Sequence, residues 1–567
     1  MKRCPECRRD YYDDSLIYCL DDGARLLDGP TPDGPPTAIL PSAAPSSEEA
    51  TKTFGDNRTT NEDLPADSGG GKRAVLLAVS VSALLLVALI GWAAYTYYGR
   101  STSRQIESIA VLPFVNAAGN PDLEYLSDGI TESLINSLSQ IPTLSVKARS
   151  SVFTYKGKEV TPQQVSKDLS VQAVLNGRVM QRGDQVVLNV ELVDASTGNQ
   201  VWGEQYTRKT TDLIELQGEI TRAVSGRLRA KLTGAEQEKV AKNYTENTEA
   251  YQHYLRGRHH WNKRKADDIR KSIEYFQKAI DADPTYALAY ASLAEAFILI
   301  PNYRLGSPSE YYPKARAAAA RAIEIDESLA EAHNALASVT CNYDWKFADA
   351  ERGWKKALDL NPNYATAHQW YAEFLLSMGR YPEAVAEMRR ARELDPLSLI
   401  INGMLGVLLM LNDQPEEALE QLKKTLEIDP NFARTHLFMA EVYQSLGRYE
   451  EAIDEFSKHY ALSGRAPDKV EELAAVIRKA YRSGGPTAYS RAFAEIIESN
   501  QGTSGAPAFV LAGYWAHAGE HDKAFEILEK AYADHDDSVL SLKDRRLDPI
   551  KSDPRYKNLL RRVGLPE

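Results

Sequence analysis

NPNYATAHQWYAEFLLSMGRYPEAVAEMRRARELDP, residues 361–396, is the stretch on which the fold turns. Its prolines, Pro362 and Pro396, are followed by Pro430 at the same interval, so the three stand 34 residues apart. Gly379 and Gly447 keep twice that period, and Ala384, Ala418 and Ala452 keep it singly. A period of this length is one helix-turn-helix unit stacked on the next. Such a unit cannot bury its apolar face alone, and a stack of them makes a curved solenoid with an extended concave surface. More than half of the chain beyond residue 98 therefore reads as a binding surface rather than a catalytic pocket.

Aligned on the prolines, small residues fall where paired helices touch and large ones where they fill the core. In 365–398 these are Tyr371, Ala372, Leu375, Gly379, Tyr381, Ala384, Met388, Ala391 and Pro396. In 399–432 they are Leu405, Gly406, Leu409, Ala418, Leu422 and Pro430, and in 433–466 Met439, Ala440, Tyr443, Gly447, Tyr449, Ala452 and Phe456. The pattern resembles the consensus of the tetratricopeptide (TPR) family. Unit 331–364 fits it through Ala350, Trp354, Ala357 and Pro362, with Cys341 as a small buried hydrophobe. Unit 287–330 is longer, a first unit covers about 250–286, 467–504 is degenerate, and a clear unit returns at 505–538. The tail DPRYKNLLRRVGLPE resembles a polar cap. The resemblance covers 245–567, about eight units plus the cap, and implies an all-α solenoid whose first helices line the concave face. Gln369, Glu373, Arg434, Glu441 and Gln444 are then the partner-binding positions, for a protein or peptide ligand.

At 567 residues the chain is too long for one core, so several domains are expected. A net charge of −12 argues against nucleic acid as a partner. Three of the four cysteines lie in the first 19 residues, a metal pattern more than a disulfide framework. Zinc takes four ligands in a tetrahedron, and each C-x-x-C turn supplies two. Cys4 and Cys7 form one such pair, Cys19 follows, and Asp22 stands where a second pair would close. Residues 1–27 resemble the zinc-ribbon segments of bacterial multidomain proteins, with Asp22 replacing the last cysteine. A structural Zn2+ on Cys4, Cys7, Cys19 and Asp22 and a degenerate ribbon without metal are the two readings.

Residues 28–70 are rich in Pro, Ser, Thr and acidic residues, the composition of a disordered tether. Residues 74–98, AVLLAVSVSALLLVALIGWAAYTYY, carry no charge and are long enough to span a bilayer. Lys72, Arg73 and Arg100 flank them, with Trp92, Tyr95, Tyr97 and Tyr98 near one end. The expectation is a single-pass protein of the bacterial inner membrane, amino terminus cytoplasmic and bulk periplasmic.

Residues 105–235 change to mixed α/β character. SIAVLPF (108–114) reads as a buried strand, 126–141 and 160–169 as helices, 171–206 as three strands turning at Gly183-Asp184 and Ser196-Thr197-Gly198, and 212–232 as an amphipathic helix. The runs IAVLPF, LSDGIT, RSSVFTYKGK, VLNGRV, LVDASTG and QVW resemble the TolB-like (FlgO-type) amino-terminal domain. That family stands between membrane helices and TPR arrays, or is fused to adenylate cyclase or kinase modules. Asp122, Glu124, Asp128 and Glu132 make an acidic patch in which Asp128 is read as a helix cap, and His259-His260 as solvated or inter-repeat packing. The chain lacks H-E-x-x-H, G-x-S-x-G and G-x-G-x-x-G. Together these imply a membrane-anchored, non-enzymatic scaffold that binds protein partners. A cytoplasm-facing signalling adaptor, in the manner of the cyclase and kinase fusions, is the alternative.

Overall fold

The computed structural model describes residues 2–3, 10–11, 27–28, 106–120, 123–228, 233–234, 239–240, 242–499 and 506–567. The chain divides into two compact units, Met1–Arg100 and Ser101–Glu567. In the first, β1 (Lys2–Arg3) pairs antiparallel with β2 (Asp10–Tyr11) and with β3 (Leu27–Asp28). Residues 4–9, which include Cys4 and Cys7, join β1 to β2. The proposed ligands Cys4, Cys7, Cys19 and Asp22 lie outside the described residues, as does the tether. The expectation of a single-pass membrane protein is corrected here. Among the described residues no helix is long and apolar enough to cross a membrane, and the apolar run 74–98 lies outside them.

The second unit begins with a mixed sheet. Its strands are β4 (Ser108–Val111), β5 (Val115–Asn116), β6 (Ser145–Val146), β7 (Ala173–Arg182), β8 (Gln185–Asp194) and β9 (Gln200–Lys209). The order is β6-β4-β7-β8-β9, with β5 also on β7. β4 runs parallel to β6 and β7, whereas β7, β8 and β9 are antiparallel. Turn chemistry sets the hairpin registers. Gly183 takes φ +62 between β7 and β8, and Asp194 accepts from the Ser196 and Thr197 amides to close the next turn. Along β8, Val186, Leu188, Val190 and Leu192 alternate inward. Helices α1 (Glu124–Ser139) and α4 (Leu213–Arg227) pack together against the sheet, with α2 (Arg149–Val152) and α3 (Pro162–Leu169) between them in sequence.

The solenoid follows as paired antiparallel helices. These are α5 (Thr248–Lys263) and α6 (Ala266–Ala282), α7 (Ala287–Asn302) and α8 (Pro308–Ile325), and α9 (Ala330–Asn342) and α10 (Phe347–Leu360). Next come α11 (Ala365–Ser377) and α12 (Tyr381–Leu394), α13 (Leu399–Leu411) and α14 (Pro415–Ile428), and α15 (Ala433–Ser445) and α16 (Tyr449–Leu462). The degenerate stretch is a helical segment, α17 (Pro467–Ser499), broken at Gly485, ahead of α18 (Ala508–His517), α19 (His521–Ala533) and the terminal α20 (Pro554–Val563).

Two local devices explain the period. Each hairpin turn needs one residue in the left-handed region, and these fall 34 apart: Trp345 (φ +54), Gly379 (+72), Asp413 (+60) and Gly447 (+72). Glycine keeps only double the period because Asp413 fills the intervening turn, helped by its short polar side chain. Between units, an Asp or Asn ahead of the loop accepts the amide two residues on. Asp283 does so from Thr285, Asp326 from Ser328, Asn361 from Asn363 and Asp429 from Asn431. The prolines sit inside these turns, where a helix cannot continue.

One apolar core runs from the sheet through the first repeats to Val339, and a second runs from Ala337 to Leu565. They meet at α9, and Trp370 packs against both.

Gly447 has open space around its Cβ position, so its substitution tests backbone conformation alone. Gly447→Ala is expected to destabilise by about 1–2 kcal/mol in urea titration, the usual cost of a left-handed alanine. Gly447→Asn should recover most of that loss, and equal losses for both would refute the turn assignment.

Candidate functional site: the concave face and its two edges

The first helices of the repeats carry the polar positions of the concave face, and the chain itself uses many of them. On α1, Glu132 is 5% exposed, and on α7, Glu295 is 3% exposed. Arg258 of α5 lies between them, with Nη2 at 2.6 Å from Glu132 and Nη1 at 3.0 Å from Glu295. Arg149 Nε at 3.1 Å and Asn262 Nδ2 at 2.7 Å complete the surroundings of Glu132, while the Tyr364 hydroxyl donates to Glu295 at 2.7 Å. Burial alone would raise the Glu132 carboxyl, but Arg258 and Arg149 outweigh it and hold the group below its ordinary range.

Asp128 is a correction to the sequence reading. α1 begins at Glu124, so Asp128 lies inside the helix rather than capping it. Its carboxylate meets Lys156 and, at 3.1 Å, His259 Nδ1. Burial opposes ionisation there, and His259 and Lys156 overcome it. His259 is therefore a contact between the sheet domain and the solenoid. His260 faces Asp268 at 2.6 Å and stacks on Tyr275. Glu124 pairs with Lys156, and Asp122 lies outside the described residues.

The sheet domain also grips the loops between repeats. Asn363 donates to the carbonyls of Ser139, Ile141 and Leu144 at the end of α1. At Asp395 the backbone turn is kept, with the Ser398 amide donating to the Asp395 carbonyl, but the side-chain bond differs. The Leu397 amide, which in the other loops would bond the preceding Asx side chain, donates instead to Ser151 Oγ at 2.8 Å. The Asp395 carboxylate accepts the Ser150 and Ser151 hydroxyls. Lys147 Nζ donates to the Glu393 carbonyl at 2.7 Å, and the Ala148 amide to that of Leu394 at 2.9 Å.

The carboxyl-terminal segment clasps the hairpin turns. His535 Nε2 lies 2.6 Å from the Tyr343 carbonyl, and its ring stacks on Trp345 at 4.0 Å. Tyr381 OH donates to the Lys543 carbonyl at 2.8 Å, and Arg545 pairs with Asp413 at 2.6 Å. Arg546 Nη1 donates to Glu441 at 2.8 Å, while Asp544 holds its other edge and Phe509 lies under it at 4.8 Å.

The five sequence-predicted contact positions are thus distributed unevenly. Glu441 is engaged by Arg546, and Gln444 accepts from Tyr514 OH at 3.4 Å. Gln369 Nε2 donates to Glu373 at 3.0 Å, and Arg434 is exposed over the Phe438 ring. Sequence reasoning missed Arg258 and Glu295. The signal for Glu295 is present, since it is the single charged residue of the apolar helix ALAYASLAEAFILIPN.

Comparison with known proteins matches both halves. Residues 104–223 match the family model of the HilA/YgeH-like transcriptional regulator second domain, and the TolB-like resemblance is not confirmed. Residues 346–400 and 409–459 match the tetratricopeptide repeat, so the carboxyl-terminal part is a TPR solenoid beside a mixed-sheet domain. A putative adenylate cyclase 3 of Rhizobium meliloti (strain 1021) is 36% identical over 231 residues, 41% of this chain and 39% of that one. The type IV pilus assembly protein PilF of Pseudomonas aeruginosa is 32% identical over 135 residues, 23% of this chain and 53% of that one. The chain thus spans about two fifths and about half of these relatives. The solved structure of Pseudomonas aeruginosa PilF is 22% identical with a TM-score of 0.30, covering 42% of this chain and 96% of its own.

Burial, with Glu295 nearby, pushes the partly buried Glu331 carboxyl up from 4.5 to about 7. The folded chain then keeps a proton that the unfolded chain has lost, so stability falls as pH rises from about 4.5 to about 7. Glu331→Gln is expected to raise stability at pH 7.5 and to flatten that fall, read by urea titration at stepped pH. An unchanged slope would refute it.

Proposed function

We propose that this chain is a non-enzymatic scaffold that binds protein partners through its TPR solenoid, with the sheet domain fixed on the first repeats as part of the platform. The observation that supports this most is the stacked helix pairs of 346–459, matched to a family whose repeats bind peptides and proteins. Gln369, Glu373, Arg434, Glu441 and Gln444 are the proposed contact positions, Arg434 being the most exposed of them. We read 105–235 as a TolB-like domain in role, a module of protein contact, beside its HilA/YgeH-like match. The cyclase-named relative favours a second reading, a signalling adaptor of the kind fused to cyclases.

The test is comparative capture. The full chain and a Gln369→Ala/Arg434→Glu variant are immobilised, cross-linked in bacterial lysate and compared by quantitative mass spectrometry. A protein set retained by the wild type and depleted in the variant is expected, and equal capture would refute the groove. Incubation with ATP and Mn2+ is expected to yield no cyclic AMP, and turnover would overturn the non-enzymatic reading.

We also propose that Cys4, Cys7, Cys19 and Asp22 hold a structural zinc. Cys4 and Cys7 have the C-x-x-C spacing from which zinc knuckles draw two thiolates. Plasma mass spectrometry of the purified chain is expected to give about one zinc per chain, lost in Cys4→Ser/Cys7→Ser. A metal-free wild type would identify the degenerate ribbon.

A further inference from the structure

Glutamate recurs at the ninth residue of three first helices: Glu295 in α7, Glu373 in α11 and Glu441 in α15. Two of the three hold a guanidinium supplied by the chain itself. Glu295 takes Arg258 at 3.0 Å, and that guanidinium also lies 4.2 Å from the Trp261 ring. Glu441 takes Arg546 at 2.8 Å, over Phe509. Both sites thus combine a carboxylate, an arginine and an aromatic ring.

Glu373 has the same place without the cation. Among the described residues its hydrogen-bonding side-chain partner is Gln369, one turn back on its own helix, and it forms no ion pair. Burial raises its carboxyl above the ordinary range, and the Gln369 amide and the more distant Arg434 only partly offset this. Trp370, three residues back, is partly buried and packs against both apolar cores. The ninth residue of α13, between Glu373 and Glu441, is Val407, 6% exposed. Gly403 one turn earlier is closed over by Phe438, 3.0 Å from its Cβ position. The corresponding position in the next unit thus offers no carboxylate.

Resting on the peptide-binding reading above, we propose that Glu373 of α11 receives an arginine of a partner peptide. Arginine fits better than lysine, because both internal examples place a planar guanidinium on a carboxylate and against a ring. The chain's charge of −12 favours the approach of such a segment.

Three labelled libraries of short peptides, identical except for a fixed central Arg, citrulline or Glu, are equilibrated with the full chain and with its E373Q variant. Citrulline keeps the shape of arginine and removes its charge, so the wild type alone tests the claim. The central-Arg library should be retained about tenfold over the other two, the order of one charge-assisted pair. That preference should collapse in E373Q at an unchanged melting temperature. Equal retention of the three libraries, or a preference that survives E373Q, overturns the arginine assignment and leaves the peptide groove standing. Retention of none overturns both.

Discussion

A guanidinium held between two buried carboxylates sets the relation between the halves of the second unit. Arg258 reaches Glu132 of the sheet domain and Glu295 of the second repeat, both almost fully buried. Such a chain of charges is not a strong source of net stability, because desolvating three ions offsets most of their attraction. Its effect is on register. Any docking that separates Arg258 from Glu132 leaves buried charges unpaired, at roughly 3–5 kcal/mol for a missing partner. The carbonyls of Ser139, Ile141 and Leu144 bound by Asn363 and the Leu397 amide bound by Ser151 add directional bonds to the same alignment. The interface is polar and positional, yet its apolar part is continuous with the first repeats, which makes it a permanent one.

This arrangement consumes binding surface. A free solenoid presents its whole concave face, whereas here the sheet domain binds the early repeats and the 363 and 397 loops, and the segment from His535 to Arg546 binds the turns at Tyr343, Tyr381 and Asp413 and Glu441 of α15. The terminal segment is not a loose pseudo-ligand. Val539, Leu542, Leu547 and Ile550 are fully buried in the second core, so it is a structural clasp. Of the five proposed contact positions, Glu441 and Gln444 are engaged from the carboxyl-terminal part, whereas Gln369, Glu373 and Arg434 have no hydrogen bond to it among the described residues.

The period, the strand hairpins and the helix pairs were legible because each rests on local chemistry: prolines in inter-repeat turns, glycine at positive φ, alternation along β8. The turn at Asp413 hid part of the period because aspartate meets the same backbone demand as glycine. What was not legible is long-range. Asp128 looked like a cap because a short acidic side chain near a helix start usually is one, yet its partners Lys156 and His259 are 28 and 131 residues away. Asp395 shares its sequence context with Asn361 and Asp429, and only Ser150 and Ser151, some 245 residues earlier, distinguish it. The comparisons match the sheet domain to a HilA/YgeH-like model and leave its TolB-like resemblance unconfirmed, since short strand motifs of this kind specify a fold more firmly than a lineage.

The polar pairs inside the repeats show why one solenoid tolerates such different neighbours along its length. His368 meets Glu387, Asn402 meets Gln421 and His436 meets Glu455, each joining the two helices of its own unit. The pairing site recurs with the period while its chemistry alternates between charged and neutral. These pairs join the helices within a unit, whereas position nine reaches beyond it: Glu295 meets Arg258 and Tyr364, and Glu441 meets Arg546. Position nine carries glutamate in three units, serine at Ser338 and valine at Val407, without disturbing the helix pairs beneath. The fold is fixed by what repeats, and recognition is left to the positions that do not.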